Sequence, residues 1–316
     1  MRTFSLTKHL YASALFLLIG STAHAVTLSV NCGSTTGLSS INAALKVLQS
    51  SEESHRTNTI NVSGACHENL SISNADGLTL NAAPGASISD ASGGTNFVIL
   101  IDHSPRVDIN GFTINGAVTC QLISNCRFSG NSFQGSYTNG VAIVGAATAL
   151  FSGDTIRNAK GAGLLINADA AVGAGGITVT GSAFAGAGVH EHSLLDISNS
   201  TLQNNQAGIR MTDHSTLHSA ENTITGNARA GVSLESGSEA LFSVYKSGNV
   251  ITGNGGYGVR VADLSFANFE SPGNDISGNN TVFHIGEPNV ACLPQFSATR
   301  GALTNIGTGG TNCVEP

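Results

Sequence analysis

One recurring phrase limits what this chain can fold into more than any other feature of its 316 residues. A small polar residue is followed two positions later by a large apolar one, and three positions after that by an Asn. The phrase reads Ser200-Thr201-Leu202 with Asn205, Asn222-Thr223-Ile224 with Asn227, Asn249-Val250-Ile251 with Asn254, and Asn274-Asp275-Ile276 with Asn279. Its apolar member returns after 22, 27 and 25 residues. A second phrase rides on the first, a Gly before an apolar-x-apolar triplet: Gly208-Ile209-Arg210-Met211, Gly231-Val232-Ser233-Leu234 and Gly258-Val259-Arg260-Val261. Repeats of this length mark a solenoid, whose units bury their apolar faces only against one another.

A period in the twenties fits one coil of a parallel β-helix, with two or three short strands per coil and every second side chain pointing into a shared core. The leucine-rich alternative needs a Leu-x-x-Leu-x-Leu phrase, which is absent. Stacked coils would align Leu202, Ile224, Ile251 and Ile276 in one buried file. The Asn residues would form amide ladders in turns, where Asn tolerates left-handed backbone angles. Glycine supports the turns, at 39 residues of 316 against a usual ~7%. The formal net charge of −7 argues against nucleic acid as a partner, because phosphate binding needs a basic surface.

Residues 1–25 read as a secretory signal, with Arg2 and Lys8 ahead of the apolar run 14–19 and a small-residue cleavage site at Ala23-His24-Ala25. That run is too short for a membrane span of ~20 residues. The expected mature chain is a secreted monomer, extracellular or periplasmic, beginning near Val26. Residues 26–57 form an N-terminal cap with a helix over 39–50, whose apolar face is Ile41, Ala44, Leu45 and Leu48. The β-helix follows over 58–286, with coil insertions at 168–176 and 237–247, where the step of the apolar member stretches to 28 residues from Ile156 to Phe184 and to 27 from Ile224 to Ile251, and 287–316 close it. Six cysteines fit an oxidising compartment and fall as local pairs: Cys32 with Cys66, Cys120 with Cys126, Cys292 with Cys313. No Cys-x-x-Cys spacing supports zinc.

The run Thr59-Ile60-Asn61-Val62-Ser63-Gly64-Ala65-Cys66-His67-Glu68-Asn69-Leu70-Ser71-Ile72, with Leu78-Thr79-Leu80 and Val107-Asp108-Ile109-Asn110-Gly111-Phe112-Thr113-Ile114 after it, resembles the opening coils of pectin-lyase-like proteins. The resemblance covers about residues 58–285 and implies a right-handed, all-β, single-stranded parallel β-helix. That superfamily includes lyases, polygalacturonases, methylesterases and epimerases acting on polysaccharides, so the fold does not choose among them. The Asn-Thr-Asp, Asp-Asp and Gly-His-Gly phrases of polygalacturonases are missing, as is the Asp-Phe-x-x-Gly phrase of methylesterases. Ile101-Asp102-His103 matches a short phrase of pectate lyases, but Ser104-Pro105-Arg106 after it reads as a turn. A lyase or epimerase resembling this superfamily would need an Arg or Lys base and neutralisation of a uronate carboxylate, often by Ca2+ on Asp and Glu.

Registering coils on the Gly-apolar triplet puts Arg210 and Arg260 outward on one file, with Ser233 between them. Thr212, Asp213, Glu235 and Asp263 follow two or three residues later. Arg210 and Arg260 are the candidate catalytic pair, and Thr212, Asp213, Glu235 and Asp263 the binding set, for an acidic polysaccharide. His192 and His214 lie one coil apart, and His190 shares their face if that segment is a strand, so these three are candidate metal ligands. Aromatic sugar platforms look scarce, with no Trp and only four Tyr. Two readings stand: a secreted protein that binds or processes an extracellular acidic polysaccharide, or a non-catalytic structural or adhesion module.

Overall fold

Alternation of apolar and polar residues sets the strands. Ile60 and Val62, Leu70 and Ile72, Leu78 and Leu80, and Val107 and Ile109 are all buried, each the inward member of a short strand. The computed structural model describes residues 25–48, 57–243, 247–270, 273–292 and 297–299. Among them every paired strand is parallel, and three sheets run the length of a solenoid. Sheet I has twelve strands from Thr27–Asn31 to Ser297–Thr299, sheet II nine from Ala65–His67 to Val250–Thr252, and sheet III ten from Leu70–Ser73 to Val290–Cys292. Each coil visits sheets I, II and III in turn.

The buried file is where the repeat placed it. Phe133, Ile156, Val179, Leu202, Ile224 and Ile251 pair in continuous register in sheet II, and Ile276 is buried in the next rung. Full burial of each such side chain contributes about 1.5–3 kcal/mol. The register corrects one expectation. Val179, not Phe184, is the core member of its coil, so Ile156 to Val179 is an ordinary step and residues 168–176 are no insertion. They contain a regular sheet I strand, Ala171–Gly175. The second insertion falls after Ser243, because Ala220 pairs with Ser243 while Thr223 pairs with Val250.

Two amide ladders stitch the rungs. In one, the side-chain oxygens of Asn205, Asn227, Asn254 and Asn279 each accept the backbone N–H of the ladder residue one coil earlier, from Ser182 onward. The amide nitrogens of Asn227 and Asn254 donate to the carbonyls of Leu202 and Ile224. The other runs through Ser200, Asn222, Asn249 and Asn274. These Asn residues are not the left-handed ones. That conformation belongs to the residue before each member of the first ladder, Asn204 at φ 56° and Gly226 at φ 62°, and it turns the next amide inward. The glycine of the second phrase has a steric cause, since a Cβ on Gly231 would stand 2.7 Å from the Gly258 carbonyl oxygen.

The helix spans Ile41–Leu48 and buries Ile41, Ala44, Leu45 and Leu48. Its first turn is capped from a distance: Glu68 accepts the N–H groups of Ile41 and Asn42 and the Ser40 hydroxyl, satisfying donors that a helix start leaves free. Solenoid pairing extends beyond the expected boundaries at both ends. Thr27–Asn31 already pairs with Asn58–Ser63, and Val290–Cys292 with Val259–Val261. Cys32–Cys66 joins the first strand to the first full coil, and Cys120–Cys126 spans a turn. Residues 1–24 and Cys313 lie outside the described residues, and with them the signal segment and the third cysteine pair. No helix among the described residues is long and apolar enough to cross a membrane.

Candidate functional site

Sheet III carries the chemistry. Its outward file reads Ala142, Leu165, Gly188, Arg210, Ser233, Arg260 in adjacent rungs, so Arg210 and Arg260 stand two rungs apart, about 9–10 Å at strand spacing. Both guanidiniums reach the intervening coil. Arg210 Nη2 donates to Glu235 Oε2 at 3.0 Å, and Arg260 Nη1 to Glu235 Oε1 at 2.6 Å. Ser233 Oγ donates to Glu235 Oε1 at 3.1 Å. Burial pushes the Glu235 carboxyl upward, but the Arg210 hydrogen bond and the charges of Arg210 and Arg260 outweigh it, and the net shift is below the ordinary carboxylate value.

These residues line a cleft of about 560 Å³, walled by the turns between sheets II and III. Phe184, Arg229, Tyr257, Phe283 and His284 face it. The Arg210 guanidinium lies 5.1 Å from the Phe184 ring centroid, and Arg229 5.6 Å from that of Phe283. Tyr257 stacks on His284 at 4.2 Å and its hydroxyl donates to Glu287. Burial, then the Glu287 bond and charge, push its phenol up to about 12. Tyr257 therefore keeps its proton. Three arginines against one inward carboxylate make the cleft locally basic on a chain of net charge −7.

The expected groove set divides. Arg210, Arg260 and Glu235 meet in the cleft, whereas Asp213 and Asp263 sit in the turns from sheet III to sheet I, at φ 58° and 54°. Their rung neighbour there is Ser236, not Glu235. Thr212 is buried and donates to Asp213 Oδ2 at 2.6 Å. The histidines divide as well. His192 and His214 stack ring on ring at 5.6 Å in consecutive left-handed turns. Residues 190–193 are not strand, so His190 does not share their face. Its Nδ1 lies 2.7 Å from Thr212 Oγ1. Among the described residues, the one set of three or more donors within 4.8 Å of each other is Cys32, Cys66 and Glu68, whose cysteines are disulfide-bonded. The three histidines do not assemble as ligands. Asp102 and His103 pair at 3.0 Å with His103 at φ 45°, a turn far down sheet III.

The aromatic rim was the feature hidden in the sequence. Phe184 looks like a core residue until the Val179 register displaces it, and Phe283 lies in a stretch without periodicity. Lined up rung by rung, the turn carbonyls and amides of Gly161, Phe184 and Ala207 bond in series, and that ladder presents Phe184 outward.

Among curated proteins no sequence matches this chain. By structure, the chain is similar to a pectate lyase, Pel9A, at 12% identity and a TM-score of 0.54, over 82% of this chain and 80% of that one. An alginate lyase from Paenibacillus sp. str. FPU-7 aligns at 10% identity and a TM-score of 0.28, over 80% of this chain and 97% of that one. At such identities the pectate lyase match speaks to fold alone. The sequence model described as "Right handed beta helix region" matches residues 120–292, more than half of the chain, and the chain belongs to that family.

Proposed function

We propose that the sheet III cleft binds an acidic polysaccharide, seating a uronate carboxylate on Arg210 and Arg260 and sugar faces on Phe184, Tyr257 and Phe283. The convergence of Arg210 and Arg260 carries the reading. Each guanidinium has five N–H donors in a fixed fork, and those not spent on Glu235 remain for a second carboxylate. Both arginines already act as donors, to Glu235 from either side, which suits them to hold a carboxylate. They are charge clamps. Neutralising a uronate carboxylate acidifies the ring proton beside it, so the reaction class that suits the site is lyase or epimerase chemistry.

Two disulfides and the signal-like leader support action outside the cytosol. The similarity in fold to a pectate lyase agrees with a polysaccharide ligand without choosing it. Calorimetric titration with oligogalacturonate, oligomannuronate and hyaluronan fragments, beside neutral cello-oligosaccharides, tests the proposal. Binding of an acidic but not a neutral series is expected, with affinity that falls steeply with salt. Equal or absent binding of both series overturns it and favours a non-catalytic structural module.

A further inference from the structure

Beside the arginine clamp lies a three-residue relay, and its hydrogen positions follow from counting donors. The Thr212 hydroxyl has one hydrogen and gives it to Asp213 Oδ2 at 2.6 Å. Asp213 as a carboxylate has none to give back. His190 Nδ1 is 2.7 Å from the same hydroxyl oxygen, so Nδ1 must supply the hydrogen of that contact. A neutral imidazole with Nδ1–H has its lone pair on Nε2. That nitrogen lies beside the outward file of sheet III, one rung from Arg210: a Cβ on Gly188 would stand 2.9 Å from His190 Nε2, and Gly188 pairs with Arg210 in the adjacent rung. Gly188 thus makes room for the imidazole edge that carries Nε2.

Resting on the acidic-glycan reading above, we propose that His190 Nε2, one rung along the outward file from this cleft, is its proton acceptor, positioned by Thr212 and Asp213, for elimination across a uronate held by Arg210. The rival groups are spoken for. Glu235 accepts from Arg210, Arg260 and Ser233, Tyr257 holds its proton for Glu287, and His284 stacks on Tyr257 with its Nδ1 3.4 Å from the Glu287 carboxylate. Arg210, Asp213, Glu191 and Glu235 supply the charges acting on His190, and burial, then Arg210, keep it below the ordinary histidine value while the three carboxylates oppose them. A neutral imidazole is the form that can accept. In the step, the C5–H bond breaks and its proton goes to Nε2. The electron pair forms the C4–C5 double bond as the C4–O bond breaks, and the departing oxygen takes a proton from water. Imidazolium keeps the Nδ1–H bond to Thr212, so the relay need not rearrange.

Two measurements decide it. Nitrogen-15 spectra of the histidine rings, with His190 assigned through His190→Gln, should show a neutral Nδ1–H tautomer at neutral pH, and Thr212→Val should shift it toward Nε2–H. A neutral Nε2–H form in the unmodified protein overturns the relay. Polygalacturonate, polymannuronate and hyaluronan are then followed by ultraviolet absorbance of the unsaturated product. His190→Gln should cost on the order of 10²-fold or more in rate with glycan affinity unchanged. Binding with no unsaturated product from any of the three, or full activity in His190→Gln, overturns the proton acceptor alone. Absence of binding as well overturns the cleft reading with it.

Discussion

Arg260 reaches across one rung to Glu235, Nη1 to Oε1 at 2.6 Å, and lines the cleft. Both side chains keep solvent contact, at 30% and 22%, so the pair adds under about 1 kcal/mol to stability. Its use is to aim the fork. Arg260→Ala should weaken binding of acidic oligosaccharides about tenfold or more, the effect of losing a charged hydrogen bond of about 1.5–3 kcal/mol. The thermal midpoint should hardly move. Titration calorimetry and a melting curve on one preparation separate the two effects.

Glu235 has a folded-state pKa below its unfolded value. Its contribution is therefore present above the unfolded value and is lost as pH falls through the folded one. Glu235→Gln should flatten that part of the acid limb of the stability curve, and urea midpoints collected from neutral pH into the acid range measure it. An unchanged limb in the variant would remove this role.

Calcium offers a further separation. Of the carboxylates Asp213, Glu235 and Asp263, Glu235 alone lines the cleft, and its oxygens already accept from Arg210, Arg260 and Ser233. A direct arginine-to-uronate contact requires no bridging cation. Affinity for acidic oligosaccharides should stay within about twofold when a chelator replaces added calcium, well under the ~1.4 kcal/mol of a tenfold change. A tenfold or larger loss would assign the carboxylate seat to calcium instead.

Asp154 accepts the Asn131 backbone and side-chain N–H groups and the Ser152 N–H, while the next rung puts Ile177 at the ladder position. Burial raises its pKa despite those bonds. Stability should consequently fall as pH rises from the unfolded value through the folded one. Asp154→Asn should remove this pH dependence while leaving the Ser152 N–H without its acceptor, so its stability relative to the parent should rise from acid to neutral pH, a contrast that melting curves at the two pH values will read.

Asn254 tests the other ladder. Its side chain accepts from both the backbone and side-chain nitrogens of Asn227 and donates to the Ile224 carbonyl, all fully buried. Asn254→Ala leaves these groups without partners, each at about 1–3 kcal/mol. A drop of several kcal/mol in chemical unfolding is expected, far beyond that of a surface Asn such as Asn204.

The sequence determined the solenoid, because stacking requires equivalent residues to return at each turn. Leu202, Ile224 and Ile251 declared the file, and the Gly-apolar triplet declared sheet III with Arg210 and Arg260 outward together. Where the repeat lapsed, so did the reading: Ile177 replaces the polar ladder member, and Phe184 took the place of Val179 in the apparent register. Residue spacing also left open which way a turn points its side chains. Two consecutive left-handed residues, at Glu191 and His192 and again at Asp213 and His214, separate His190 from His192 and take Asp213 out of the cleft. Only the tertiary structure decided that both arginines bond Glu235 while Asp213 and Asp263 turn away, that His190 meets Thr212, and that Phe184, Tyr257 and Phe283 share a rim. The physical reason is that rung register is written in periodic burial, whereas the direction of a turn side chain is chosen by backbone angles and by neighbours a full coil away.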